Sequence, residues 1–213
     1  MAARNPNRQN PLPLHKVLII GSSGVRKHDL ILHFMYGDSE ADYELTDQDS
    51  CKQDCYVKKV VVDGEEVQIE IRDLSGMEDY QAVIDSYIQK AEGFLCAFSI
   101  TEHKTFAATA WLRDQIMLVK ECDNVPFLLV GIQSDPGDKR EVSVDEATCK
   151  AANWNVEYME IPGAQTQAEV QKVFFNLLRQ IKAYKMESKH DEHDKKKQKS
   201  LAKIIREKLF KKR

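Results

Sequence analysis

The chain has 213 residues, 42% of them hydrophobic and 31% charged, enough for one substantial core and an additional tail. No apolar run nears the roughly 20 residues needed to cross a bilayer, and residues 1–9 hold no hydrophobic signal core, so a cytoplasmic protein is expected. The net charge of −3 conceals an asymmetry, because residues 182–213 carry 13 Lys or Arg against 5 Asp or Glu, which puts +8 there and −11 on residues 1–181. A basic tail on an acidic body points to an anionic membrane surface, and no recognisable nucleic-acid module accompanies it.

Residues 1–13, with three prolines and several polar side chains, read as a flexible lead. Val17–Ile20 is an apolar run that predicts a buried strand, and Lys27–Tyr36 has helical spacing at Leu30, Ile31 and Phe34. Residues 56–63 and 65–71 predict a hairpin turning at Asp63-Gly64, with Val67, Ile69 and Ile71 on one face. The near-continuous apolar runs 94–100 and 127–131 fit central parallel strands. Helical patterns occupy residues 78–90, 104–121, 143–153 and 167–186, with Ser143 and Glu146 spaced as a capping box. Strands alternating with helices imply a doubly wound, mostly parallel α/β sheet with helices on both faces, whose ligands sit at the carboxyl ends of the strands.

Five cysteines without framework spacing fit reduced thiols, and Cys51 and Cys55 lack the second ligand pair a zinc site requires. In the tail, Leu201, Ile204, Ile205 and Leu209 recur at helical spacing among lysines, the pattern of a basic amphipathic helix. A solvated tail is the competing reading.

"GSSGVRKHDL", residues 21–30, falls directly after the first strand, and it almost spells a phosphate-binding loop. Gly21 and Lys27 have the right spacing, whereas Arg26 stands for the second glycine and His28 for the hydroxyl residue. With "PLHKVLIIG", "DGEEVQIEI", "EGFLCAFSITE", "FAATA", "NVPFLLVG", "DKREVSV", "WNVEY", "KVFFNLL" and "KSLAK", the chain resembles the Ras-superfamily small GTPases, and the Ral subfamily in particular, from about Leu14 to Glu207. The resemblance implies a six-stranded small-GTPase fold over residues 14–183, a basic tail over 184–213, a monomer, and GTP/GDP with Mg²⁺ as cofactors. It also implies effectors of the family's type, exocyst subunits and a Ral-binding GAP protein.

Carried over position by position, the resemblance assigns Gly21, Ser22, Ser23, Gly24, Val25, Arg26, Lys27 and His28 to the phosphate loop. Ser23 and Arg26 replace glycines whose backbone must approach phosphate closely, and His28 offers nitrogen to a hard cation that prefers oxygen. The first switch is Tyr43, Glu44, Leu45, Thr46, Asp47, Gln48 and Asp49, facing effectors, with Thr46 toward Mg²⁺ and about five extra residues following. In the second switch Asp73 meets the metal shell and Gly76 senses phosphate, while Met77 occupies the position that orients the attacking water and cannot hydrogen-bond it usefully. For the base, Ile132, Gln133 and Asp135 stand where the family has Asn, Lys and Asp, and the loop around Ala164 carries Pro162 and Gln165. These departures predict a Ral-like protein of Ras-type signalling with an impaired guanine-nucleotide site, a pseudo-GTPase interaction module with weakened effector binding. The alternative is a switch that hydrolyses GTP slowly. No cysteine follows Cys149, so no prenylation box is expected and membrane association should be weak or transient.

Overall fold

A computed structural model describes residues 11–37, 55–74, 81–122, 124–133, 137, 139–162 and 166–210, the last 22 by their backbone alone. In chain order the elements are β1 (Leu14–Ile20), α1 (Lys27–Tyr36), β2 (Cys55–Val62), β3 (Glu65–Asp73), α2 (Gln81–Lys90), β4 (Gly93–Ser99), α3 (His103–Lys120), β5 (Phe127–Ile132), α4 (Val144–Trp154), β6 (Glu157–Ile161) and α5 (Gln167–Phe210). One sheet runs in the order β2-β3-β1-β4-β5-β6, and only the β2–β3 pair is antiparallel. Asp63 and Gly64 both have positive φ, 53° and 82°, the backbone a two-residue hairpin turn requires.

Alternation along β1 sorts the core into two layers. Val17 and Ile19 face α1 and α5, where Phe34 stacks on Phe174 with ring centroids 4.1 Å apart. Leu18 and Ile20 face the side covered by α2, α3 and α4, through Ile88, Phe106, Ile116, Ala147 and Ala151. Strands β4 and β5 are buried along their whole length, so they read as continuous apolar runs. Strand β6 lies at the sheet edge with only Ile161 buried, and no apolar run announces it.

Helix ends differ from the expected signals in one respect. Ser143 Oγ accepts from Glu146 N–H at 3.1 Å, but the Glu146 carboxylate pairs with His103 Nε2 at 2.9 Å. The reciprocal capping box is formed instead by Thr166 and Glu169, whose hydroxyl and carboxylate each accept from the other's backbone N–H. Beyond this cap α5 continues through residue 183 to Phe210 without a break. Its contacts toward the sheet include Arg179 bidentate to Asp63, Lys182 with Glu65 at 2.6 Å, and Lys185 with Glu92 at 2.7 Å. Burial pushes the Glu92 carboxyl up, but hydrogen bonds from His15 and Lys185 outweigh it and hold the group at about 2.

Candidate functional site

Strand β1 lies between β3 and β4, where the strand order reverses, so the loop leaving its carboxyl end opens onto the crevice at the switch point of the sheet. Gly21 is required there for a steric reason, because a Cβ would fall 2.4 Å from the Ala97 carbonyl oxygen of β4. Lys27, the first residue of α1, is buried at 6% exposure, and its ammonium donates to the carbonyls of Gly21 at 3.0 Å and Ser22 at 2.9 Å. The lysine thus closes the loop on itself from beneath. A cavity of about 140 Å³ between β1, α2 and α3 reaches both Gly21 and Lys27, its other walls including Ile19, Leu74, Ile84 and Leu112.

Arg26 precedes the helix in the left-handed conformation, with φ 52° and ψ 35°. A non-glycine residue there carries about 1–2 kcal/mol of steric cost. Its guanidinium Nε reaches the Asp29 carboxylate at 2.6 Å, a half-exposed pair of small worth. Ser23 and Gly24 are exposed, whereas Val25 is wholly buried in the core, so only its backbone is available to a ligand.

His28, exposed in the first turn of α1, has Nδ1 3.4 Å from the hydroxyl of Tyr56 on β2, with the two rings edge to face. Asp73 ends β3 beside Ile19 of β1 and is 8% exposed. The carboxyl ends of β1 and β3 therefore gather the phosphate loop, His28 and Asp73. At the other end of the crevice Ile132 is the last residue of β5, fully buried among the core residues, and its carbonyl accepts from Ile100 N–H at 3.0 Å. Gln133 N–H donates to the Ile161 carbonyl at 3.1 Å, extending the β5–β6 ladder to the rim. Residues 43–49, Gly76, Met77, Asp135 and Ala164 lie outside the described residues, as does Cys51. Among those described, Cys55, Cys96, Cys122 and Cys149 are free thiols, and no cluster of His, Cys, Asp or Glu is arranged to hold a metal.

The sequence reading missed Tyr56 as the neighbour of His28. Its place as an inward-facing residue at the start of an alternating strand was visible, but the contact spans 28 positions and depends on how β2 packs on α1.

Residues 16–183 match the model of the Ras family. The chain belongs to the Ras family. It is 51% identical over 197 residues to Ras-related protein O-RAL of Diplobatis ommata, covering 92% of this chain and 93% of that protein. It is also 51% identical over 201 residues to Ras-related protein ralB-A of Xenopus laevis and to Ras-related protein Ral-B of Mus musculus, covering 94% of this chain and 95% of each. It is a Ral-like small GTPase by family, with the family's α/β fold, and its Ras-family relatives imply GTP, GDP and Mg²⁺ as the ligands of this crevice.

Proposed function

We propose that this chain is a pseudo-GTPase of the Ral type, an interaction module built on a switch scaffold whose nucleotide site is impaired. The observation that carries the reading is Ile132: the position that the resemblance gives to a base-contacting asparagine holds an aliphatic side chain wholly enclosed in the core. It offers guanine no donor or acceptor. At the metal position the donor set fits poorly, because His28 brings a nitrogen already close to a tyrosine hydroxyl, and Mg²⁺ prefers oxygen. The phosphate end fits better, with Lys27 and the constrained Gly21 in place. Losing four polar contacts at roughly 1.5–3 kcal/mol each costs about 6–12 kcal/mol before non-additivity, which moves tight binding to micromolar or weaker.

The phosphate end also favours the alternative, a switch that binds GTP and hydrolyses it slowly. Bound magnesium and nucleotide would supply charge neutralisation and the scissile phosphate. Lys27 would hold the outer phosphates and Asp73 would take part in the metal shell, while Met77 would leave the attacking water unoriented.

For partners, we propose weakened capture of Ral-type effectors, since Asp47 and Gln48 replace a lysine and an alanine of the family and a charge reversal at a small interface costs several kcal/mol. For location, we propose weak, salt-sensitive attachment of the tail to anionic membrane. Its support is the helical backbone through Phe210 together with the spacing of Leu201, Ile204, Ile205 and Leu209.

Release of bound nucleotide from the freshly purified protein by denaturation, followed by chromatography, tests the main reading. Protein free of GDP and GTP is the expected result. One equivalent of GDP per chain would establish the switch instead.

A further inference from the structure

On the sheet face that carries α2, three cations meet in a recess of about 160 Å³ that no residue of the phosphate loop lines. Lys16 of β1 lies beside Glu70 of β3, and Leu18 of β1 beside Arg72 of β3, so Lys16, Glu70 and Arg72 share one face of adjacent strands. Helix α2 contributes Tyr87 and Lys90 to the rim. The Arg72 guanidinium lies over the Tyr87 ring, 4.8 Å from its centroid, and donates through Nε to Glu70 at 3.0 Å. This pair positions the guanidinium and leaves its two terminal nitrogens without a hydrogen-bond partner among the described residues. The ammonium groups of Lys16 and Lys90 are likewise unpaired among the described residues. Among the described residues, three positive charges against one carboxylate give the lining a net charge of +2.

We propose that this recess binds a phosphate monoester, carried on a phosphorylated segment of a protein partner. A dianion matches the net charge of the lining, and its three terminal oxygens suit donors arriving from three different elements better than a planar carboxylate does. Arg72 is braced by Glu70 and Tyr87, so little ordering is lost on binding. A peptide rather than a lipid is favoured by what adjoins the recess. Val57 of the edge strand β2 is next to Glu70 on the same face and is 51% exposed, with Val61 57% exposed two pleats along. This gives an extended chain an apolar footing beside its phosphate.

The test is a ¹H–¹⁵N titration of the full chain with phenyl phosphate, following Lys16, Tyr87, Lys90 and the Arg72 Nε–H separately from residues 21–28. Saturable shifts at the recess are expected, weakened about tenfold by Arg72→Met, which keeps the stem over Tyr87, and about as much by Lys90→Ser. Lys27→Ala should leave recess binding unchanged, which separates this site from the phosphate loop. Shifts confined to residues 21–28, or recess shifts indifferent to Arg72→Met, would overturn the proposal. So would a recess that ignores phenyl phosphate while Arg72→Met weakens binding to vesicles containing phosphatidylinositol phosphates, because the ligand would then be a membrane.

Discussion

The two ends of the crevice share one sheet but answer to different demands. At the end of β1 the backbone is constrained by a close approach to β4, and Lys27 has its ammonium on the loop's own carbonyls. These features belong to the fold as much as to any ligand, because the loop must pass Ala97 and the buried ammonium must be satisfied whether or not phosphate is present. At the end of β5, Ile132 sits in the core and lends it more apolar area. A polar side chain at this buried position would need a hydrogen-bond partner, whereas an aliphatic one needs none. The contrast separates features that the fold itself needs from features that only a ligand would need.

Reverting the ligand-only positions gives the largest expected effect. His28→Ser, Ile132→Asn and Arg26→Gly together should tighten GTP binding by about a thousandfold or more, if each restored contact recovers about 1.5–3 kcal/mol. The single changes should do much less, because the contacts share one ligand. Isothermal titration of the four variants and the unmodified protein checks this, and strictly additive singles would break the account. Ile132→Asn alone should also destabilise the free protein by about 1–3 kcal/mol, since it buries an amide without its partner. Hydrolysis should stay slow in the triple variant because Met77 remains.

The scaffold can be probed by Phe34→Ala, which removes a fully buried ring stacked on Phe174. A loss of about 3–5 kcal/mol in urea unfolding is expected, far beyond what any exposed residue of the phosphate loop should cost. A third prediction concerns acid. The Glu92 carboxyl titrates near 2, below its ordinary 4.5, so its contacts with His15 and Lys185 stabilise the fold above pH 4.5 and are lost as pH falls toward 2. Glu92→Gln should flatten this part of the acid-unfolding profile, and an unchanged profile would refute the linkage. Smallest of all, Arg26→Gly should stabilise the free protein by about 1 kcal/mol, by relieving the left-handed backbone at φ 52°. A lowered melting temperature would show that the Asp29 pair outweighs the strain.

Much of the fold was legible because parallel strands buried on both faces leave unbroken apolar runs, as β4 and β5 do. The hairpin was legible from Asp63-Gly64, whose positive φ values the turn demands. Strand β6 was located by no such run, since an edge strand with one buried residue has no periodic signal. The capping box at Ser143 illustrates a different limit. The spacing was right, yet His103 on a neighbouring helix holds the Glu146 carboxylate, and only the packing of α3 against α4 reveals that competitor. At the site, Lys27 and Gly21 were readable from spacing alone, while the Tyr56–His28 contact and the grouping of Lys16, Arg72 and Lys90 arise from strand register and helix placement.

The central proposal is that the crevice binds phosphate at one end but cannot hold Mg²⁺ or guanine tightly at the others. Its most direct test is titration of the unmodified protein with a fluorescent GTP analogue, with and without magnesium. The account predicts micromolar or weaker binding that chelation leaves nearly unchanged. Nanomolar binding abolished by chelation would contradict it.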